Sequence, residues 1–100
     1  MEMHQVRYFL AVARTLNFTR AAEESNVTQP SLTRAIQKLE EEFGGLLFRR
    51  ERALTHLTDL GRLMLPHLER AYAAAAAVLV VPTVAFAVPW LNELHRLFVA

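Results

Sequence analysis

Residues 17–40, NFTRAAEESNVTQPSLTRAIQKLE, decide the fold of this chain. A short helix is expected over about Phe18 to Ser25, with Asn17 or Thr19 as its cap. Ala21 and Ala22 are small, as helices that cross closely require. Asn26 falls where the chain must bend sharply, and asparagine tolerates the left-handed conformation better than other non-glycine residues. Val27 then points inward. Thr28 caps the next helix, and Pro30 fits its first turn, where a missing N–H loses no bond. Leu32, Ala35, Ile36, Leu39 and Phe43 form a helical stripe that Gly44-Gly45 terminates. The other face shows Gln29, Ser31, Thr33, Arg34, Gln37 and Lys38. A short helix, a tight turn and a second helix with a polar start is the layout of a helix-turn-helix that enters the major groove of DNA.

Working outward, Val6, Phe9, Leu10, Ala13 and Leu16 recur at helical steps, so a first helix runs from about Glu2 or Met3 to Leu16. Leu46–Arg50 and Leu54–Thr58 are short apolar and β-branched runs around Glu51-Arg52-Ala53. They predict a small hairpin, or wing, although no Asn-Gly turn signal accompanies them. Thr58 caps a fourth helix, and Asp59 suits its positive end. Its apolar side is Leu60, Leu63, Met64, Leu68, Ala71 and Tyr72. Pro66 lies inside it and should kink it, because the bond to the Arg62 carbonyl is lost. From Ala71 to Leu91 no residue is charged. That segment is rich in alanine, then valine, and holds Pro82 and Pro89. Val78-Leu79-Val80-Val81 reads as a strand.

Composition narrows the function. There is no cysteine, which removes disulfide frameworks and thiolate-rich metal sites. No basic segment precedes an apolar core at the N-terminus, so a secretory signal is not expected and the cytoplasm is the default location. The formal net charge is only +1. Its distribution matters more: Arg20, Arg34, Lys38, Arg49, Arg50 and Arg52 can gather on one side, with Glu23, Glu24, Glu40, Glu41 and Glu42 on the other. His4, His56, His67 and His95 have no metal-ligand spacing, and no nucleophile–base pattern or glycine-rich phosphate loop is present. Catalysis, a metal and a cofactor are therefore not expected.

Residues 1 to about 70 resemble the N-terminal DNA-binding domain of LysR-type transcriptional regulators. The resemblance rests on Gln5-Val6-Arg7-Tyr8-Phe9-Leu10-Ala11-Val12-Ala13 and Phe18-Thr19-Arg20-Ala21-Ala22. It continues in Val27 to Ile36, Leu39-Glu40-Glu41-Glu42-Phe43-Gly44, Leu47-Phe48-Arg49-Arg50 and Leu57-Thr58-Asp59-Leu60-Gly61. It implies a mainly α fold: a winged helix-turn-helix of three helices plus a short hairpin over 1–58, then a linker and dimerisation helix over 59–77. Residues 78–100 form an apolar tail that resembles at most the opening strand and first helix of an effector-binding domain, so the linker reads as shortened and the effector domain as truncated. Thr83, after Pro82 at a strand-to-helix turn, would be a remnant of a ligand site. A small-molecule effector is not expected.

Double-stranded DNA is the expected partner. Gln29, Pro30, Thr33 and Arg34 lie in the first turns of the recognition helix and are the base and groove candidates; Gln pairs with adenine and Arg with guanine through two bonds each. The family usually has Ser where Thr33 stands, so the added methyl suits a thymine contact. The plainer alternative is a hydrated helix face. Thr19, Arg20, Ser31 and Lys38 are candidates for phosphates, which set register rather than sequence choice; Lys38 has an alternative ion pair with Glu41 or Glu42. Arg49, Arg50 and Arg52 on the wing can reach the flanking minor groove, or Arg50 or Arg52 can pair with Glu51 or with the acidic end of the third helix. Leu60, Leu63, Met64, Leu68 and Tyr72 are the expected homodimer interface. Trp90, Leu91, Leu94, Leu97 and Phe98 form a packing stripe. The competing functions are an inert or dominant-negative regulator and a small protein anchored in a membrane through 71–91.

Overall fold

The computed structural model describes residues 1–87 and 96–97 of the chain. Three helices come first: α1 (Met3–Thr15), α2 (Phe18–Glu24) and α3 (Gln29–Phe43). An antiparallel hairpin, β1 (Phe48–Glu51) and β2 (Leu54–Leu57), follows, and α4 (Asp59–Ala87) closes the order. This is the expected mainly helical fold with a two-stranded wing.

Local chemistry places each boundary. The Glu2 N–H donates to Gln5 Oε1 at 3.0 Å at the start of α1. Leu16, in the left-handed conformation at φ 52°, ends that helix, and its N–H reaches the Val12 carbonyl. Asn17, not Thr19, caps α2: its Oδ1 accepts the Arg20 N–H at 2.9 Å. Asn26 is left-handed (φ 56°) in the turn, as its residue type suggests. Thr28 Oγ1 accepts the Ser31 N–H at 3.3 Å at the head of α3. Gly44 (φ 76°) closes α3, and the Gly44 and Gly45 N–H groups both return to the Glu40 carbonyl.

The core is one cluster built on Val6, Phe9, Val12, Leu32, Ile36, Leu39 and Leu47. Phe18, Ala21 and Ala22 of α2 and Phe48 of the wing complete it. Thr58 joins α4 to this body. Its N–H donates to the Leu47 carbonyl at 3.0 Å, its hydroxyl to the Leu46 carbonyl, and the same oxygen accepts the Gly61 N–H at 3.1 Å. Gly61 is buried there: a Cβ on it would stand 2.3 Å from the Leu47 carbonyl oxygen. Glu40 ties the far side of the same loop, its carboxylate accepting the Leu47 N–H at 2.8 Å.

Two expectations change, and one competing reading meets an observation. First, Leu68 is 3% exposed and belongs to the core of a single chain, with Leu60, Met64 and Tyr72 packed beside it. They recur every four residues along α4; Leu68 is closed off within the single chain, while Leu60, Met64 and Tyr72 keep part of their surface exposed. Leu63, on the other side, is 62% exposed. Second, Val78–Val81 is not a strand, and Thr83 does not follow one. α4 passes through both, and through Pro66 and Pro82, to Ala87. The alanine run carries helix directly into the valines. At 29 residues the helix is about 43 Å long, and it gives the molecule a long axis of 55 Å. As for the competing membrane reading, no helix among the described residues is long and apolar enough to cross a membrane. The packing stripe expected at Trp90–Phe98 lies, apart from Leu97, outside the described residues.

Candidate nucleic-acid interface

α3 buries Leu32, Ala35, Ile36 and Leu39 and so turns the rest of its circumference outward. Pro30, Arg34 and Lys38, four residues apart, are all exposed and form one row along the helix. Neither Arg34 nor Lys38 has an ion pair among the described residues, so the alternative pairing of Lys38 with Glu41 or Glu42 is not formed. Glu42 instead binds the N-terminal ammonium at 2.8 Å. Gln29 and Thr33 flank the row and are half-buried. The Thr33 hydroxyl is closed to solvent and has no hydrogen-bond partner among the described residues. What that residue shows to solvent is therefore its carbon atoms. Ser31 is half-buried, and its Oγ accepts from Thr28 Oγ1 at 2.9 Å.

The wing separates its three arginines. Strand register pairs Phe48 with Leu57, Arg49 with His56, Arg50 with Thr55 and Glu51 with Leu54. Alternation then puts Phe48 and Arg50 on the inner face, and Arg49 and Glu51 on the outer one. Arg49, not Arg50 or Arg52, takes Glu51, at 3.9 Å. Arg50 lies over the Phe18 ring, its guanidinium carbon 3.7 Å from the centroid. Arg52 forms the hairpin tip with Ala53. Both are left-handed, φ 49° and 66°, the signature of a type I′ turn without the usual glycine or asparagine.

Wing and recognition helix meet across a cleft of 450 Å³ lined in part by Asn17, Thr19, Gln29, Arg50, Arg52 and Thr55. The structure thus brings together a base candidate, a phosphate candidate and two wing arginines that the sequence scatters over 34 positions. Arg20 is exposed but pairs with Glu24 at 3.6 Å, a carboxylate that also holds Arg14. Among the described residues no group of three His, Cys, Asp or Glu side chains could hold a metal ion.

The family model of bacterial regulatory helix-turn-helix proteins of the lysR family matches residues 3–62. This chain belongs to the LysR family. It is 49% identical over 78 residues to the HTH-type transcriptional regulator IlvR of Caulobacter vibrioides, covering 78% of this chain and 26% of that protein. It is 56% identical over 63 residues to the probable cat1 operon transcriptional activator of Acinetobacter lwoffii, covering 63% and 21%. The chain therefore spans about a quarter of the length of these curated relatives. Among solved structures it resembles the CbnR DNA-binding domain in a complex with DNA, at 34% identity and a TM-score of 0.77 over 85% of this chain and 98% of that one. The BenM DNA-binding domain on benA site 1 DNA gives 31% and 0.76 over 83% and 93%. The LysR family is one of transcriptional regulators, and the winged helix-turn-helix is its DNA-binding unit.

The sequence blocks that carry the LysR resemblance acquire separate structural jobs. Thr58 and Gly61 set α4 against the wing loop, and Glu40 pins the same loop. Phe18, Asn17 and Thr55 border the cleft and were not singled out from sequence as part of a site. The two-residue spacing of Phe48 and Arg50 on a strand is the signal that could have placed Arg50 inward.

Proposed function

We propose that this LysR-family chain binds double-stranded DNA in a sequence-selective way and regulates transcription, catalysing no reaction. The observation that carries this is the row Pro30–Arg34–Lys38, exposed and with no ion pair among the described residues, on a helix whose opposite face is locked into the core. An exposed row of unneutralised cations beside polar side chains suits a groove lined by phosphates and base edges. In this reading Gln29, Pro30, Thr33 and Arg34 meet base edges. Thr33 offers its methyl, since its hydroxyl is sealed. Thr19, Ser31 and Lys38 meet phosphates, and Arg20 joins them at the expense of its pair with Glu24. Arg50 and Arg52 approach the flanking DNA from the wing, with Arg49 further out. The solved relatives whose matching domains lie on DNA support this reading.

The division of labour follows. Residues 1–58 read DNA and α4 pairs two copies through its outward side, where Leu63 and Val78 are exposed. Two recognition helices then sit about 34 Å apart, or a further turn, on an interrupted dyad. A DNA ligand is consistent with a cytoplasmic location. The test is a fluorescence anisotropy titration of a duplex at several salt concentrations. Affinity should fall steeply with salt, and Arg34→Ala should weaken the preferred sequence by about 1–3 kcal/mol while relaxing choice at one position. Unchanged selectivity in Arg34→Ala would show that Arg34 reads no base.

A further inference from the structure

Phe18 stands where α2 meets the wing and is 8% exposed. Phe48 meets its ring edge-on, with centroids 5.6 Å apart and planes at 79°, and Phe48 itself leans on Phe9 at 5.3 Å. The Arg50 guanidinium carbon lies over a face of Phe18, 3.7 Å from the ring centroid. One strand thus supplies both contacts, Phe48 in a T-shaped ring pair and Arg50 over the ring face. Arg50 has no ion pair among the described residues; the nearby carboxylate of Glu51 goes to Arg49. The stacked arginine borders the cleft shared with Thr19 and Gln29.

We propose that Phe18 is a positioning residue for DNA recognition: its ring holds the Arg50 guanidinium flat at the mouth of this cleft, ready for a backbone phosphate. A planar cation on a ring face keeps its N–H groups in the plane, directed sideways, where a phosphate accepts two of them. A stacked side chain has already lost the rotamer freedom that a loose arginine loses on binding. A lysine at the same place keeps the charge but has no plane to stack. This rests on the DNA-binding reading and adds to it a residue that touches no DNA.

The experiment measures duplex affinity at one salt concentration for the wild-type chain, Phe18→Leu, Arg50→Lys and the double variant, with thermal midpoints as a check on folding. Each single change should weaken binding about two- to fivefold, and the double variant should be no weaker than the weaker single one. Additive losses overturn the inference, because Phe18 then acts apart from Arg50. So does Arg50→Lys binding as tightly as wild type, or Phe18→Leu leaving affinity unchanged. In the DNA-free wild-type chain, the Arg50 side-chain proton resonances should be shifted upfield by the ring. Unshifted resonances overturn the inference even if Phe18→Leu fails to fold. A wild-type chain that binds no DNA overturns the DNA-binding reading, and this inference with it.

Discussion

Gly61→Ala should destabilise the fold, although alanine is the better helix former. Gly61 lies in the first turn of α4, so the exchange alone would favour the helix by about 1 kcal/mol. Packing opposes it. The new Cβ would stand 2.3 Å from the Leu47 carbonyl oxygen and 2.8 Å from Leu57 Cδ2. A carbon and an oxygen normally keep about 3.3 Å apart, so α4 or the loop must retreat by about 1 Å. The loop is not free to do so. Its Leu47 carbonyl accepts the Thr58 N–H and its Leu47 N–H is held by Glu40. Overpacking against fixed atoms costs about 1–3 kcal/mol, and each weakened hydrogen bond about 1 kcal/mol. The net loss is about 2 kcal/mol, or a fall in Tm of about 8–16 °C for a domain of this size. Thermal unfolding followed by circular dichroism at one fixed protein concentration measures it, since association makes Tm concentration-dependent. Gly44→Ala is the control: that position has nothing within 4 Å and loses only about 1 kcal/mol from its left-handed backbone. A Gly61→Ala chain as stable as wild type would refute the close approach of α4 to Leu47.

Leu68→Asp should prevent folding, because it places a charge in the core, whereas Leu63→Asp should leave the stability of the fold within about 0.5 kcal/mol of wild type and act on self-association, seen by sedimentation at tens of micromolar. Ala53→Gly should raise stability by about 1 kcal/mol, since it removes a left-handed alanine from the wing tip; urea midpoints measure this, and a loss would show that the tip is not left-handed. Glu40→Ala should lower stability by about 1–2 kcal/mol through the orphaned Leu47 N–H, with Glu40→Gln, which keeps an acceptor, recovering part of it in the same assay.

The recognisable parts of the sequence were those with local causes. Asn17, Asn26, Thr28, Pro30 and Gly44 each act within a few residues of themselves, so capping and turn chemistry located α2, α3 and the turn between them. The stripe of α3 was legible because only one face can be buried. Other features depend on neighbours distant in sequence. An apolar stripe on α4 does not say whether its partner is the same chain or another, which is why Leu68 looked like an interface residue. A short β-branched run such as Val78–Val81 suits a strand or a buried helix equally, and the helix already under way decides. Arg52 and Ala53 are not residues that favour positive φ; the strand pairing on either side imposes it. Glu40 resembles any solvated helix glutamate until the loop brings Leu47 to it. Of the site, the α3 row was legible, while the cleft was not, because it joins residues 17–19 to 50–55 through the core.

The central claim is sequence-selective binding by a paired reading head. The most direct measurement is enrichment of duplexes from a random library by the intact chain, followed by sequencing. The expected result is a two-fold-related motif whose half-sites are centred about one helical turn apart, about 10 base pairs, or more, with one position relaxed by Arg34→Ala. Enrichment of no motif, with affinity equal for all duplexes at every salt concentration, would contradict it.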